Sequence, residues 1–324
     1  MLAWARSKWR RAVTPQGYLR LASAVLGVMF LVVASGAFVR LTASGLGCDH
    51  WPRCGSAPFP TQGNHHAIIE FSNRLVAAVG IVLALAAWRA SGAVPGLSRV
   101  GRRCMLLAFA GAATQIPLGG VTIMLKLNPL AVMAHFLLGL LVLALALVAA
   151  VEAWILVVGC APSVDPPWLR RAVAWLGLPA AAALVVSGAV ATASGPHPGA
   201  QKGVKRLGVP IVDTVYVHVR VAAVFGLGFL VLGWFLLRLR VRYPGLARTW
   251  FATLAVLVAQ MIFGEVQYRS ALPWGLVLLH VTLAAALWSL ALFIAYALGR
   301  PPAPLAATVA SRPSAASVVR VAGK

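Results

Sequence analysis

Apolar residues run through this chain in stretches too long and continuous for a soluble core, broken at intervals by short polar clusters. Eight stretches lie at 18–39, 66–88, 104–125, 129–151, 172–194, 214–237, 249–268 and 274–298. Each reaches the roughly 20 residues that an α-helix needs to cross a hydrocarbon layer about 30 Å thick. They predict an all-α integral membrane protein with eight transmembrane helices. The polar residues inside the spans repeat. Gln115 and His135 recur as Gln260 and His280, 145 residues on. Val76-Ala77-Ala78-Val79 recurs as Val221-Ala222-Ala223-Val224 at the same offset, which sets Asn73 opposite His218. Each half holds an even number of spans, so the halves share one orientation. The expected fold is two tandem, pseudo-symmetric four-helix bundles with their polar positions inward. They cover 18–158 and 168–298, with the linker near Gly159–Pro167 between them. A short amino-terminal segment (1–17) precedes them, and a Pro-, Ala- and Ser-rich stretch (299–324) reads as a disordered tail.

Composition agrees. The chain is 61% hydrophobic and 10% charged, with mean hydropathy +0.88, which excludes an ordinary soluble domain. The net charge of +22 invites a nucleic-acid reading, but its distribution opposes one. Of the 28 Lys and Arg, nineteen fall on one side: the amino end (Arg6, Lys8, Arg10, Arg11, Arg20), the even-numbered connections (among them Arg89, Arg102, Arg103, Arg170, Arg171, Arg238 and Arg248) and the tail (Arg300, Arg312, Arg320, Lys324). Seven lie opposite: Arg40, Arg53, Lys126, Lys202, Lys205, Arg206 and Arg269. This positive-inside bias predicts that both termini are cytoplasmic, with lipid rather than nucleic acid as the surrounding partner. The first span has the basic start of a signal peptide. However, Ser35-Gly36-Ala37 and Thr42-Ala43-Ser44-Gly45 are echoed by Ser187-Gly188-Ala189 and Thr192-Ala193-Ser194-Gly195. A repeated element is expected to be retained as a helix.

The external loops are unequal. Residues 40–65 and 195–213 form long loops, whereas Asn128-Pro129 and Leu272-Pro273 mark tight turns, so the chemistry is expected to open outward. Cys104 and Cys160 fall at cytoplasmic ends and are expected to be inert. Cys48 and Cys54 lie in the first external loop, where a disulfide is permitted. The alternative is a zinc site of Cys48, His50 and Cys54, which lacks a fourth ligand. A disulfide over so short a loop adds little stability and leaves room for a redox role.

The repeated histidines carry the strongest chemical signal. His135, His218 and His280 sit a few residues inside spans four, six and eight, about 6–10 Å below the outer boundary at 1.5 Å per residue. Each has a small residue four positions on (Gly139, Ala222, Ala284), as does Asn73 (Ala77). Such clearance suits a flat macrocycle beside its axial ligand. Hydrogen bonding between helices is the plainer explanation for one intramembrane histidine, but three at matched depth point to bound haem. His218 and His280 form the better ligand pair.

The first half differs. Asn73 stands where a second ligand would be, and a neutral amide is a poor partner for haem iron. His135 therefore faces an open position or a rescue ligand such as His65 or His66. Two tight ligands suit a resident cofactor, whereas a substrate must enter and leave. The second bundle is thus read as holding a resident haem and the first a haem acted upon. Glu70 lies in the first half, with no acidic counterpart around Thr214 or Val215. It can form an i, i+4 ion pair with Arg74, and it can also take a proton or stabilise positive charge at the rim of the substrate haem. Arg74, Arg220, Lys126 and Arg269 are candidates to neutralise propionates, or equally to anchor at the interface.

These residues resemble a family. The run Gly36-Ala37-Phe38-Val39-Arg40-Leu41-Thr42-Ala43-Ser44-Gly45-Leu46-Gly47-Cys48, then Trp51-Pro52 and Cys54, is similar to the first helix and loop of haem A synthases. Ile69-Glu70-Phe71-Ser72-Asn73-Arg74 resembles their second helix, and Gln115, Leu118-Gly119-Gly120-Val121-Thr122 and His135 resemble helices three and four. Ser194-Gly195-Pro196-His197, His218, Gln267-Tyr268 and His280 resemble the second half. The resemblance implies eight transmembrane helices in two bundles and a multi-pass location in the plasma membrane. It implies oxidation of a ring methyl of haem O to the formyl group of haem A, for a terminal oxidase. It further implies haem b between His218 and His280, a catalytic Glu70 and an external cysteine pair that takes part in the reaction cycle. His135 is then the iron ligand of the substrate haem, with Asn73 as the departure from a commoner histidine. The implied partners are haem O, the haem O synthase that supplies it, and an electron donor. The rival readings are a di-haem cytochrome that only relays electrons and a haem transporter built on a parallel repeat.

Overall fold

The computed structural model describes residues 13–48, 51, 54, 60, 64–201 and 203–307. Arg6, Lys8, Arg10, Arg11, His50, Pro52, Arg53, Lys202, Arg312, Arg320 and Lys324 lie outside the described residues. The described residues form no strand, and eight helices are long and apolar enough to cross a membrane. In chain order they are α1 (Pro15–Leu41), α2 (His65–Ser91), α3 (Arg99–Met124), α4 (Pro129–Val158), α5 (Pro167–Ser194), α6 (Ile211–Arg238), α7 (Pro244–Arg269) and α8 (Trp274–Gly299). The chain is a multi-pass membrane protein.

Local chemistry sets the helix starts. Thr14, Asn64, Ser98 and Asn128 accept backbone N–H bonds from the first turns of α1 to α4, satisfying donors that a helix leaves unpaired. Proline occupies the first turn of α1, α4 and α7, where its missing N–H costs nothing. The two tight turns on the long-loop face repeat each other. Lys126 and Leu127 take φ of 48° and 56°, and Ala271 and Leu272 both take 59°. Leu127 N–H donates to Thr122 C=O and Leu272 N–H to Gln267 C=O, both at 2.7 Å. All three pairs of positions differ by 145, so the duplication extends to left-handed backbone at non-glycine residues, which costs roughly 1–2 kcal/mol each.

Two features depart from the sequence pattern. α5 is not one regular helix: Val173–Gly177 is a π turn, in which Leu178 N–H reaches back to Val173 C=O. Pro179 follows at once, and its missing N–H breaks the regular ladder there. Residues 300–307, which the composition assigned to a disordered tail, are ordered. Arg300 to Ala307 are held by the linker and by the α6–α7 connection, through Ala161 N–H to Pro301 C=O (2.8 Å), Ala303 N–H to Gly159 C=O (3.0 Å) and Ala307 N–H to Arg242 C=O (2.8 Å). Leu305 is buried against Gly245, which leaves no room for a side chain.

In the first half, α1 packs on α2 and α4, and α3 packs on the same two helices. In the second, α5 packs on α6, and α8 on α7 and α5. The apolar cores fill the half of the molecule away from the long loops. Tyr18, Val25, Ala84, Ala87, Met105, Ala108, Leu143 and Ala146 form one, and Phe225, Phe229, Leu236, Trp250, Leu287 and Ile294 form the other. The half nearer the long loops is where the intramembrane polar residues gather.

α4 and α8 meet along a seam between the halves. Trp288 Nε1 donates to Leu140 C=O at 3.1 Å. Glu152, 2% exposed, accepts from Tyr296 Oη at 2.5 Å and from Arg300 at 2.7 and 3.3 Å. At the long-loop face, Arg40 from α1 donates to Thr192 C=O (2.8 Å) and His197 C=O (2.9 Å) beyond the seam. Gly45 N–H donates to Gly199 C=O at 2.8 Å, and Phe38 meets Trp274 edge-on, with ring centroids 6.1 Å apart.

Candidate functional site

His135 and His280 are each six residues inside α4 and α8, His218 is seven inside α6, and Asn73 is eight inside α2. At 1.5 Å per residue they lie about 9–12 Å below their helix starts. α6 begins three residues earlier than the apolar pattern gave, which carries His218 down to the level of the others.

Each position is set by a neighbouring helix. Ser187 on α5 donates to Leu184 C=O at 3.0 Å and contacts His218 Nδ1 at 3.0 Å. With its proton directed to Leu184, the serine oxygen accepts from Nδ1–H, and the Nε2 lone pair of His218 is left for a metal. The ring lies on Gly188, where an added Cβ would meet Cε1 at 3.0 Å. His280 lies on Gly264 of α7 in the same manner, at 3.1 Å, and within electrostatic reach of His218. In the first half His135 lies on Gly119 of α3, at 3.5 Å. Gln115 Nε2 donates to the His135 carbonyl at 3.0 Å.

The small residue one turn below His135 faces Gln115 rather than open space. At Gly139 an added Cβ would meet the Gln115 amide at 3.3 Å. The glycines that admit the imidazoles are Gly119, Gly188 and Gly264, on facing helices. Gly119 and Gly264 are themselves 145 residues apart, so the repeat extends to the seats as well as to the polar residues.

Buried polar atoms without a partner also repeat. Among the described residues they include Gln115 Oε1 with Gln260 Oε1, and His135 Nδ1 with His280 Nδ1. Orphaned buried polar atoms are few in native structures and call for a reason. Two matched pairs of them, beside glycine-seated imidazoles, fit pockets built for a polar, planar guest. The residues present fit a haem between His218 and His280.

The first half breaks the symmetry at Asn73. Ser35 on α1, the counterpart of Ser187, donates to Asn73 Oδ1 at 2.7 Å. Gly36, the counterpart of Gly188, has nothing within 4 Å of an added Cβ. The serine–partner contact is kept, while the ring that fills the second pocket is missing from the first.

Glu70 is 5% exposed, and its surroundings were not legible from its sequence neighbours. It pairs with Arg74, as the i, i+4 spacing led one to expect. Its Oε2 also accepts the backbone N–H of Cys48 at 2.9 Å. Cys48 and Cys54 are joined in a disulfide, so their sulfurs are not zinc ligands, and among the described residues no group of His, Cys, Asp or Glu is arranged to hold a metal ion. Gly47 is pressed on the first turn of α2, where a Cβ would meet the His66 carbonyl at 2.5 Å. Trp51 covers Gly120, next to the glycine that seats His135. Cys48 is therefore tied to α2 by the buried carboxylate, and Trp51 lies on α3 beside the seat of His135.

His65 and His66 are at the mouth, in the first turn of α2, with their rings 4.1 Å apart. His66 Nδ1 contacts Ser44 Oγ at 2.9 Å and its Nε2 contacts Gln201 at 3.2 Å. The structure does not bring either to the level of Asn73. Arg220 stacks on Tyr216, with 3.6 Å from guanidinium to ring centroid, and Arg269 pairs with Glu265, which gives Glu265 a partner. Lys126 is exposed on the turn after α3.

Fold and pockets together define a polytopic membrane protein with duplicated, unequal histidine sites. The chain belongs to the COX15-CtaA family, described as cytochrome oxidase assembly protein, which it matches over residues 19–292. It is similar to the haem A synthase of Lysinibacillus sphaericus, 36% identical over 89 residues, which is 26% of this chain and 29% of that protein. It is similar to the haem A synthase of Bacillus pumilus, 32% identical over 124 residues, 36% of this chain and 39% of that protein. A protoheme IX farnesyltransferase of Thermus thermophilus is 40% identical over 75 residues, 21% of this chain and 12% of that protein. The chain thus aligns with well under half the length of each of these relatives.

Proposed function

We propose that this protein is a haem A synthase, an oxidoreductase that converts a ring methyl of haem O to the formyl group of haem A for assembly of a terminal oxidase. The observation that carries this reading is the unequal pair of serine-held positions: His218 on Ser187 in one half, Asn73 on Ser35 in the other. A protein that only relayed electrons would gain nothing from removing a ligand on one side. The family match and the relatives named haem A synthase support the same reading.

In this reading 18–158 is the substrate bundle and 168–298 the cofactor bundle. Held by His218 and His280, a haem b supplies one-electron redox chemistry. Ser187 fixes the tautomer and orientation of His218, and Gly188 and Gly264 let both rings approach. In the first half His135 ligates the iron of the substrate. Glu70, paired with Arg74, accepts a proton as the methyl carbon is oxidised. Its bond to Cys48 couples that carboxylate to the disulfide, which serves the reaction cycle rather than the fold. The protein sits in the plasma membrane with both termini cytoplasmic, and both pockets open outward. The farnesyltransferase name of one relative is consistent with supply of haem O by a neighbouring haem O synthase, and a separate donor provides or accepts electrons.

The test is expression in a host that makes haem O but no haem A, followed by pigment extraction. Haem A is the expected product. Haem O alone would overturn the assignment, and movement of unchanged haem across the membrane would favour a transporter.

A further inference from the structure

We propose that the iron of a haem held by His135 keeps its sixth position for a small exogenous ligand, water or a diatomic gas, received by the Ser35–Asn73 pair in the space beside Gly36. This rests on the first half being the substrate pocket.

The two halves supply an internal control. In the second, a serine fixes an imidazole, and that ring fills the space over the following glycine, with Gly188 to His218 Cε1 at 3.0 Å. In the first, the equivalent serine holds a side chain one ring smaller, and the equivalent glycine has open space within 4 Å. The position is polar as well as open. Ser35 donates to Asn73 Oδ1 at 2.7 Å, so the amide oxygen is engaged and the amide NH2 remains as the donor for a guest. A ligand atom on iron that accepts a hydrogen bond is what such a donor recognises, whereas an amide is a poor iron ligand itself. Rescue from above is opposed by the placement of His66, whose two ring nitrogens meet Ser44 and Gln201. His65 lies against it with the rings tilted by 40°, at the first turn of α2 and eight residues from Asn73.

Full-length protein loaded with haem O, reduced with dithionite and titrated with carbon monoxide tests this by difference spectroscopy. The expected result is a carbon monoxide adduct of the first-half haem alone, while the His218–His280 haem stays low-spin. Asn73→His is expected to abolish the adduct without loss of haem. Asn73→Ala is expected to keep it, with carbon monoxide leaving roughly tenfold faster for want of one hydrogen bond. His65→Ala and His66→Ala are expected to leave it unchanged. No adduct in the haem-loaded wild type, an equal adduct in Asn73→His, or an adduct gained only in His65→Ala or His66→Ala would overturn the proposal. Conversion of haem O without carbon monoxide binding sinks this inference and leaves the proposed function standing. Carbon monoxide binding without conversion does the reverse, and failure of the first half to take up haem overturns both.

Discussion

The carboxylate of Glu70 and the backbone N–H of Cys48 are hydrogen-bonded at 2.9 Å across the outer mouth of the first half. One buried acid thus touches the disulfide loop through Oε2 and Arg74 through Oε1. Among the described residues the second half has no such arrangement, and Val215 stands at the echo position.

Glu70→Gln keeps an oxygen for the Cys48 N–H but removes the charge that pairs with Arg74. The variant is expected to fold and bind haem while conversion falls by about 100-fold or more, the usual worth of a positioned acid–base group. Extracted pigment should remain haem O. Normal haem A yield would remove Glu70 from the chemistry.

Ser187→Ala removes the acceptor that orients His218 without touching the ring. Loss of such an outer partner typically weakens metal or haem binding about 10–100-fold. The expected outcome is a partly haem-depleted protein whose low-spin spectrum returns with added haem, whereas His218→Ala and His280→Ala should lose that spectrum outright. Full occupancy in Ser187→Ala at limiting haem would show that the hydrogen bond does not position the ligand.

The same substitution should behave oppositely in the two copies. Gly188→Ala places a methyl 3.0 Å from His218 Cε1 and is expected to displace the imidazole and lower haem content. Gly36→Ala meets nothing within 4 Å and is expected to leave the second-half spectrum intact, with stability equal or up to about 1 kcal/mol higher from helix propensity. Haem titration and thermal unfolding of the two proteins side by side decide the matter.

Arg300→Ala strips the guanidinium from Glu152, leaving Tyr296 as its donor across the seam. Arg300 is half exposed while Glu152 is buried, so leaving the carboxylate short of a donor costs about 1–3 kcal/mol, and detergent-solubilised protein should melt at a lower temperature. Replacing both residues by leucine is expected to recover most of the loss, because no buried charge is then left uncompensated. An unchanged melting temperature in Arg300→Ala would make the contact incidental.

Much of this was legible in the chain, for identifiable reasons. Span length and hydropathy are local properties, so all eight helices could be placed, with ends up to seven residues off, and the 145-residue echo survives in the left-handed turns at Lys126-Leu127 and Ala271-Leu272. The histidines were visible because an imidazole inside an apolar run is conspicuous. Their glycine seats were not, since Gly119, Gly188 and Gly264 matter only through what crosses from another helix. The contact of Glu70 with Cys48 spans 22 residues and runs through a backbone N–H that any residue would supply, so no side-chain pattern could announce it. The π turn in α5 follows from Pro179, but whether proline kinks, bulges or ends a helix depends on its neighbours. The ordered stretch after Arg300 was hidden by its Pro- and Ala-rich composition, which resembles that of a tail yet also suits a strap laid over the linker.

Arg40 bears on how such a duplicated protein can be made. Its guanidinium belongs to α1, the first helix of the first half, while the carbonyls it satisfies, those of Thr192 and His197, arrive only after four further helices are in place. During synthesis the cation waits at the membrane edge for acceptors from the other copy. A first half made alone would keep that need unmet, so although the sequence reads as two modules in tandem, the finished molecule is a single unit of assembly.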